Sequence, residues 1–327
     1  MNILGRDISI EIIYVLAIIF GVLIVCSVSF WAIARTRSSP LFKELIVRTR
    51  SWWYMAIGIA VVVTTPPIIG TVLIGYVSFV ALREMLSIAR FRTADRTAMF
   101  AAYFAIPVQF YLAYHLYYYQ FLYFIPLIMF IGLPFILVMT GKPSMIGRSM
   151  SLIPTILLLT VYMISHVVLL FHVEVPGFDV GPGGLVIYLI MCTAFNDVFQ
   201  FTWGKLLGKR KILPNVSPNK TWEGFIGGVL TTACLGYFLR FLTPLSGQEA
   251  FITGLAIGIM GFVGDSVVSA IKRDLEIKDT DDLIPGHGGA MDRLDSIIIT
   301  APVFRSEERR VGKECRSRWS PYQLKKN

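Results

Sequence analysis

Charged side chains are scarce in this chain. Asp, Glu, Lys and Arg make up 16% of its 327 residues against 55% hydrophobic ones, and the mean hydropathy is +0.66. A soluble domain carries about a quarter of its residues as charges, so that class is excluded and an integral membrane protein remains. Cysteine is also sparse: Cys26, Cys192 and Cys234 are scattered through apolar segments and Cys315 stands near the end, without metal-ligand spacing, so the first three read as small core hydrophobes. The sequence has no Walker loop and no serine–histidine–aspartate arrangement. No internal repeat, low-complexity linker or soluble domain is evident. Polar–apolar alternation is missing as well, which excludes a membrane β-barrel.

What is present is a series of continuous apolar runs, most of them near the ~20 residues with which a helix crosses about 30 Å of hydrocarbon. They fall at 12–33, 53–63, 68–85, 98–117, 121–139, 152–171, 185–203, 224–242 and 251–271. Pro66-Pro67 separates the short second run from the third, because two successive prolines break a helix. The first run follows a nearly uncharged start and lacks a small-residue cleavage site, so it reads as a retained helix. A further apolar stretch from Ile297 stops at Phe304. The expectation is an all-α polytopic transmembrane bundle of about nine spans and a truncated tenth, one domain over 1–304.

The net charge of +9 suggests nucleic acid until its distribution is read. Eight Lys/Arg against three acids lie beyond residue 304, where 305–322 (RSEERRVGKECRSRWSPY) resembles a translated sequencing-library adapter and is read as non-native. The remaining excess sits in short loops: Arg35 to Arg50, Arg90 to Arg96, Lys142 and Arg148, and Lys205 to Lys220. That is the positive-inside pattern, with the N-terminus outside, these loops cytoplasmic and no nucleic-acid partner. Tyrosines and phenylalanines between Tyr117 and Tyr123 form an aromatic belt at the outer interface.

Candidate chemistry gathers in 185–296. Asp197, flanked by Asn196 and Gln200, lies inside an apolar run, where a carboxylate costs several kcal/mol unless it meets a cavity or a partner. An interfacial, solvated position is the alternative. The following loop contains Lys205 and then Ser217-Pro218-Asn219-Lys220-Thr221-Trp222-Glu223-Gly224, whose cations, hydroxyls and glycine suit phosphate oxygens beyond what orientation requires. In the next run Asp265, Ser269, Lys272 and Arg273 share a helical face, able to hold a divalent metal and the phosphates it bridges. A snorkelling Lys272–Arg273 pair with Asp265 bridged elsewhere is the competing reading. The polar stretch then continues through Lys278 to the Pro285-Gly286-His287-Gly288-Gly289 turn, and Asp292, Arg293 and Asp295 follow. His287 has no Cys or His at metal spacing, which argues against zinc.

These motifs resemble those of the phosphatidate cytidylyltransferase (CDP-diglyceride synthetase) family. The signature is met by Ser269, Ile271, Lys272, Arg273, Lys278, Asp279, Pro285, His287, Gly288, Gly289, Asp292, Arg293 and Asp295, and upstream by Asn196-Asp197, Gly204-Lys205, Gly208-Lys209, Ser217-Pro218 and Lys220 to Gly224. Asp281 and Ala290 depart from it without removing a charged ligand. The likeness is specific over about 185–296 and elsewhere lies mainly in hydropathy.

The resemblance implies a bacterial cell-membrane enzyme that transfers the cytidylyl group of CTP to phosphatidate, giving CDP-diacylglycerol and pyrophosphate, and it is compatible with a homodimer. It implies Mg²⁺ on Asp265 and Asp292, with Asp197 beside them or on substrate. Phosphates fall to Lys205, Lys220, Lys272 and Arg273, and His287 with its glycines closes over the triphosphate. Ser217, Thr221, Glu223, Ser269, Lys278, Gly288, Gly289, Arg293 and Asn196 complete the substrate site. The rival readings are an ether-lipid cytidylyltransferase or a polyprenol kinase and, from another class, a transporter.

Overall fold

The computed structural model describes residues 2–3, 6–36, 40–141, 146–173, 178–277 and 289–318. Among these residues ten long helices follow a short ladder that pairs β1 (Asn2–Ile3) with β2 (Arg6–Asp7). They are α1 (Ile10–Thr36), α2 (Pro40–Thr64), α3 (Pro67–Ile88), α4 (Arg96–Tyr114), α5 (Tyr118–Met139), α6 (Ile146–Leu170), α7 (Pro182–Leu207), α8 (Trp222–Phe238), α9 (Gly247–Asp274) and α10 (Met291–Arg318). An antiparallel hairpin of β3 (Lys211–Leu213) and β4 (Ser217–Thr221) links α7 to α8.

Eight of these helices are long and apolar enough to cross a membrane by length and composition. They coincide with eight of the nine expected runs. The ninth, 53–63, is the C-terminal part of α2, whose first half carries Lys43, Glu44, Arg48 and Arg50, too many charges for an apolar span. Its end at Thr64 and the start of α3 at Pro67 fall where the paired prolines predict, with Pro67 in the first helical position, where a missing N–H does no harm. The apolar stretch expected to stop at Phe304 belongs to a longer helix: α10 starts at Met291 and runs to Arg318.

Pro126 and Pro154 interrupt the ladders of α5 and α6, and each helix widens into a π turn at or just after its proline, Phe124–Met129 and Leu158–Met163. The bundle is graded in burial. The apolar window of α6 is 72% buried and that of α1 only 11%, so α6 runs through the middle and α1 along the edge. Residues such as Tyr76, Phe100, Phe104, Phe135 and Phe238 project outward, as lipid-facing side chains do. Two buried polar ties hold the first half together: Ser78 donates to the Thr160 carbonyl at 2.6 Å, and Asp95 accepts from Ser149 at 2.7 Å while pairing with Arg92 at 2.6 Å.

α7, α8 and α9 approach closely because glycine lines their contacts. A Cβ at Gly254 would sit 2.8 Å from the Thr232 carbonyl oxygen, and one at Gly224 2.7 Å from that of Gln200. Without a hydrophobic drive between helices in lipid, such small-residue seams are what let backbones pack.

Candidate active site

The hairpin between α7 and α8 forms because Leu213 and Val216 bracket a tight Pro214-Asn215 turn, closed by the Val216 N–H on the Leu213 carbonyl at 3.2 Å. Its return strand delivers Lys220 and ends at Thr221, whose hydroxyl accepts the Gly224 N–H at 3.2 Å and so caps α8. Glu223 reaches back to accept the Lys209 and Arg210 N–H groups at 3.0 and 3.3 Å. The loop is thus a built element rather than a loose basic linker.

From this hairpin Lys220 extends onto α9. Its Nζ lies 2.9 Å from Asp265 Oδ2, donates to Ser266 Oγ at 2.9 Å and sits 4.5 Å from the centre of the Phe262 ring. Ser269, one turn beyond Asp265, donates to its Oδ1 at 3.1 Å. A second pair follows deeper in the contact between α9 and α10: Lys272 Nζ lies 2.7 Å from Asp292 Oδ1, with both side chains largely covered. Asp292 Oδ2 also accepts the Gly289 N–H at 3.1 Å. Asp265 and Asp292, both expected to hold metal, are therefore each paired with a lysine expected to hold phosphate, whereas Asp197 is not.

Asp197 of α7 and Asp295 of α10 face the same place. Asp197 accepts from Ser296 Oγ at 2.9 Å, and the charge of Asp265 acts on both Asp197 and Asp295. Gly264 makes this convergence possible, because any Cβ there would collide with the Asp295 carbonyl oxygen. Three carboxyl groups on three helices are hard oxygen donors, which suit Mg²⁺ better than any softer metal. Among the described residues no three acids, histidines or cysteines are gathered at metal-ligand distances.

Other expected site residues are sorted by their surroundings. Asn196 is fully buried: Gln200 and Thr232 donate to its Oδ1 at 3.0 and 3.1 Å, and its Nδ2 donates to the Gly258 carbonyl at 3.3 Å, so it ties α7 to α8 and α9. Arg273 departs from the single expected face. Lys272 is buried while Arg273 is exposed and donates to the Val216 and Ile277 carbonyls at 3.2 and 3.3 Å, bracing the hairpin. Lys205 and Arg293 are exposed, and Ser217 is partly covered at the start of β4. Lys278, His287 and Gly288 lie outside the described residues.

Sequence reasoning passed over Asp295 as a member of the acidic group, although it stands in the signature, and missed Glu84 entirely. Glu84, buried on α3, accepts the Ala290 and Met291 N–H groups at 2.8 and 3.4 Å. The signal available was a carboxylate at the end of an apolar run. A shallow cavity of about 570 Å³ is lined by Lys209, Arg210, Trp222, Glu223 and Ile226.

The chain matches the sequence profile of the cytidylyltransferase family over residues 46–306. It is similar to YnbB, an uncharacterised protein of Escherichia coli K12, with 38% identity over 80% of this chain and 86% of that protein. It is also similar to the phosphatidate cytidylyltransferases of Rickettsia bellii (35% identity over 36% of this chain and 55% of the relative) and Mycobacterium leprae (41% over 37% and 39%). In these enzymes the likeness spans about half or less of their length.

Proposed function

The chain belongs to the cytidylyltransferase family, and from that premise we propose that it transfers the cytidylyl group of CTP to phosphatidate in the bilayer, forming CDP-diacylglycerol and pyrophosphate. The observation that carries this reading is the double pairing Lys220–Asp265 and Lys272–Asp292, at 2.9 and 2.7 Å. Without substrate the lysines and acids neutralise one another. In this reading Lys220 and Lys272 turn from the carboxylates to the phosphate oxygens of CTP, and Asp265 and Asp292 are the residues that would hold a Mg²⁺ ion, which would supply further neutralisation of phosphate charge.

The reaction needs no protein nucleophile. The phosphate monoester of phosphatidate is largely a dianion near neutral pH, and one of its oxygens attacks the α-phosphorus of CTP. The bond from that phosphorus to the bridging oxygen breaks, and pyrophosphate leaves with the electron pair. The protein supplies positioning and positive charge against the phosphates, the main demands of phosphoryl-type transfer. A bound Mg²⁺ would add neutralisation of the leaving group and of the α-phosphoryl oxygens. The lipid phosphate enters from the cavity beside Lys209 and Arg210. Its chains follow Trp222, Ile226 and Leu230, exposed at successive turns along one face of α8.

The test is Mg²⁺-dependent conversion of labelled CTP by the full chain in vesicles containing phosphatidate. CDP-lipid and pyrophosphate are expected in equal amounts. Release of CDP instead would identify a kinase, preference for an ether-linked acceptor would change the lipid, and solute transport without nucleotide turnover would sink the reading. Asp265→Asn and Asp292→Asn should each lower turnover by ~10³-fold with the protein still folded, the scale on which lost transition-state electrostatics is felt.

A further inference from the structure

The first turn of a helix exposes N–H groups that need acceptors, and a nearby Ser, Thr, Asp or Asn side chain normally supplies one. At the start of α10 the chain reads Gly288-Gly289-Ala290-Met291, residues whose own side chains carry no oxygen, and Asp292 takes the Gly289 N–H. The acceptor for the next two comes from elsewhere. Glu84, on α3 and only 4% exposed, takes the Ala290 N–H at 2.8 Å and the Met291 N–H at 3.4 Å, across 206 residues of sequence. A carboxylate in this place also meets the positive end of the helix dipole.

We propose that Glu84 is a positioning residue for the transfer reaction: it fixes the start of α10, and thereby the aim of Asp292 and Asp295. Asp292 lies in the first turn of α10, one residue beyond Met291, and is held on its other side by Lys272 at 2.7 Å and the Gly289 N–H at 3.1 Å. Between them the two acids, Glu84 and Asp292, take three successive N–H groups of this turn, those of Gly289, Ala290 and Met291. If Glu84 lets go, the turn frays, and Asp292 and Asp295 lose their fixed relation to Asp265 on α9. A misplacement of about 1 Å in a reacting constellation can lower turnover ~10²-fold. Glu84 thus makes the first half of the chain, whose sequence carries little of the signature, a part of the catalytic apparatus. The catalytic consequence rests on the proposed cytidylyl transfer; the anchoring of α10 does not.

Two readouts keep those apart. Hydrogen exchange of the peptide covering 289–295, followed by mass spectrometry on the full chain in nanodiscs, is expected to speed up about 5-fold in Glu84→Ala, the scale of a lost helix cap. Glu84→Gln keeps an oxygen acceptor and should stay close to the parent protein. In the CTP and phosphatidate assay, Glu84→Ala should lose kcat ~10²-fold with KM for CTP little changed, and Glu84→Gln should restore most of it. Unchanged exchange in Glu84→Ala overturns the anchoring. Faster exchange with unchanged kcat overturns the positioning role, and equal loss of kcat in the Gln and Ala variants would assign Glu84 a charge-dependent role instead. If the parent protein turns over no CTP, the functional reading fails while the exchange result still decides the anchoring.

Discussion

The pair Lys272–Asp292 is covered on both sides, which makes it a sensitive place to test. Removing one partner of a buried ion pair leaves an uncompensated charge and costs about 3–5 kcal/mol, whereas removing both is far milder. Lys272→Met is therefore expected to lower stability by ~3 kcal/mol in a thermal or denaturant melt, and Lys272→Met combined with Asp292→Asn should recover much of that loss. The double variant stays inactive, because its loss is chemical. Equal stability of the two variants would mean that the pair bears no strain when broken. At this scale the sequence was partly legible. It pointed to Asp265, Lys272 and Asp292 because charge in an apolar chain is conspicuous. It could not tell which lysine meets which acid, since the partner of Asp265 proved to be Lys220 on the hairpin rather than its helical neighbour Lys272.

Among elements, the contact of α9 with α10 sets how near the acids come. Gly264 touches the Asp295 backbone, and a methyl group there must push the helices apart, so Gly264→Ala should destabilise by about 1–3 kcal/mol and reduce turnover further by separating Asp265 from Asp295. Gly21 on α1 has nothing within 4 Å of its Cβ position, and Gly21→Ala should be neutral or slightly stabilising in the same melt. The reverse ranking would contradict the close approach. Helix ends were well read where proline marks them, as at Thr64 and Pro67. α2 was read less well, because its charged first half and apolar second half form one helix of 25 residues. Composition alone treats those halves as loop and span.

On the scale of the whole molecule, the functional proposal requires the β3–β4 hairpin and the start of α10 to share the cytoplasmic face, where CTP is available. The sidedness expected from the basic loops can be measured. In a chain otherwise lacking cysteine, Pro218→Cys in the hairpin should react with an impermeant maleimide only from the cytoplasmic side, and Tyr119→Cys in the aromatic belt only from the outside. Labelling of both from one side would overturn the orientation. The two halves also differ in how they carry information. The profile match covers 46–306, yet the likeness to the Rickettsia bellii and Mycobacterium leprae phosphatidate cytidylyltransferases spans less than half of this chain. The remaining helices contribute through packing, of which Glu84 is the chemically explicit example.

By itself the amino-acid sequence determined the membrane class and the helices, and singled out the polar residues proposed to meet phosphate, because hydropathy over ~20 residues and charges stranded in apolar surroundings are local properties. Tertiary structure alone decided the partners. Lys220 with Asp265, Asp295 beside Asp197, and Glu84 at the head of α10 join positions far apart in the chain, and no period or spacing in one dimension encodes such encounters. They depend on how closely glycine-lined helices pack and on which buried N–H groups lack a local acceptor.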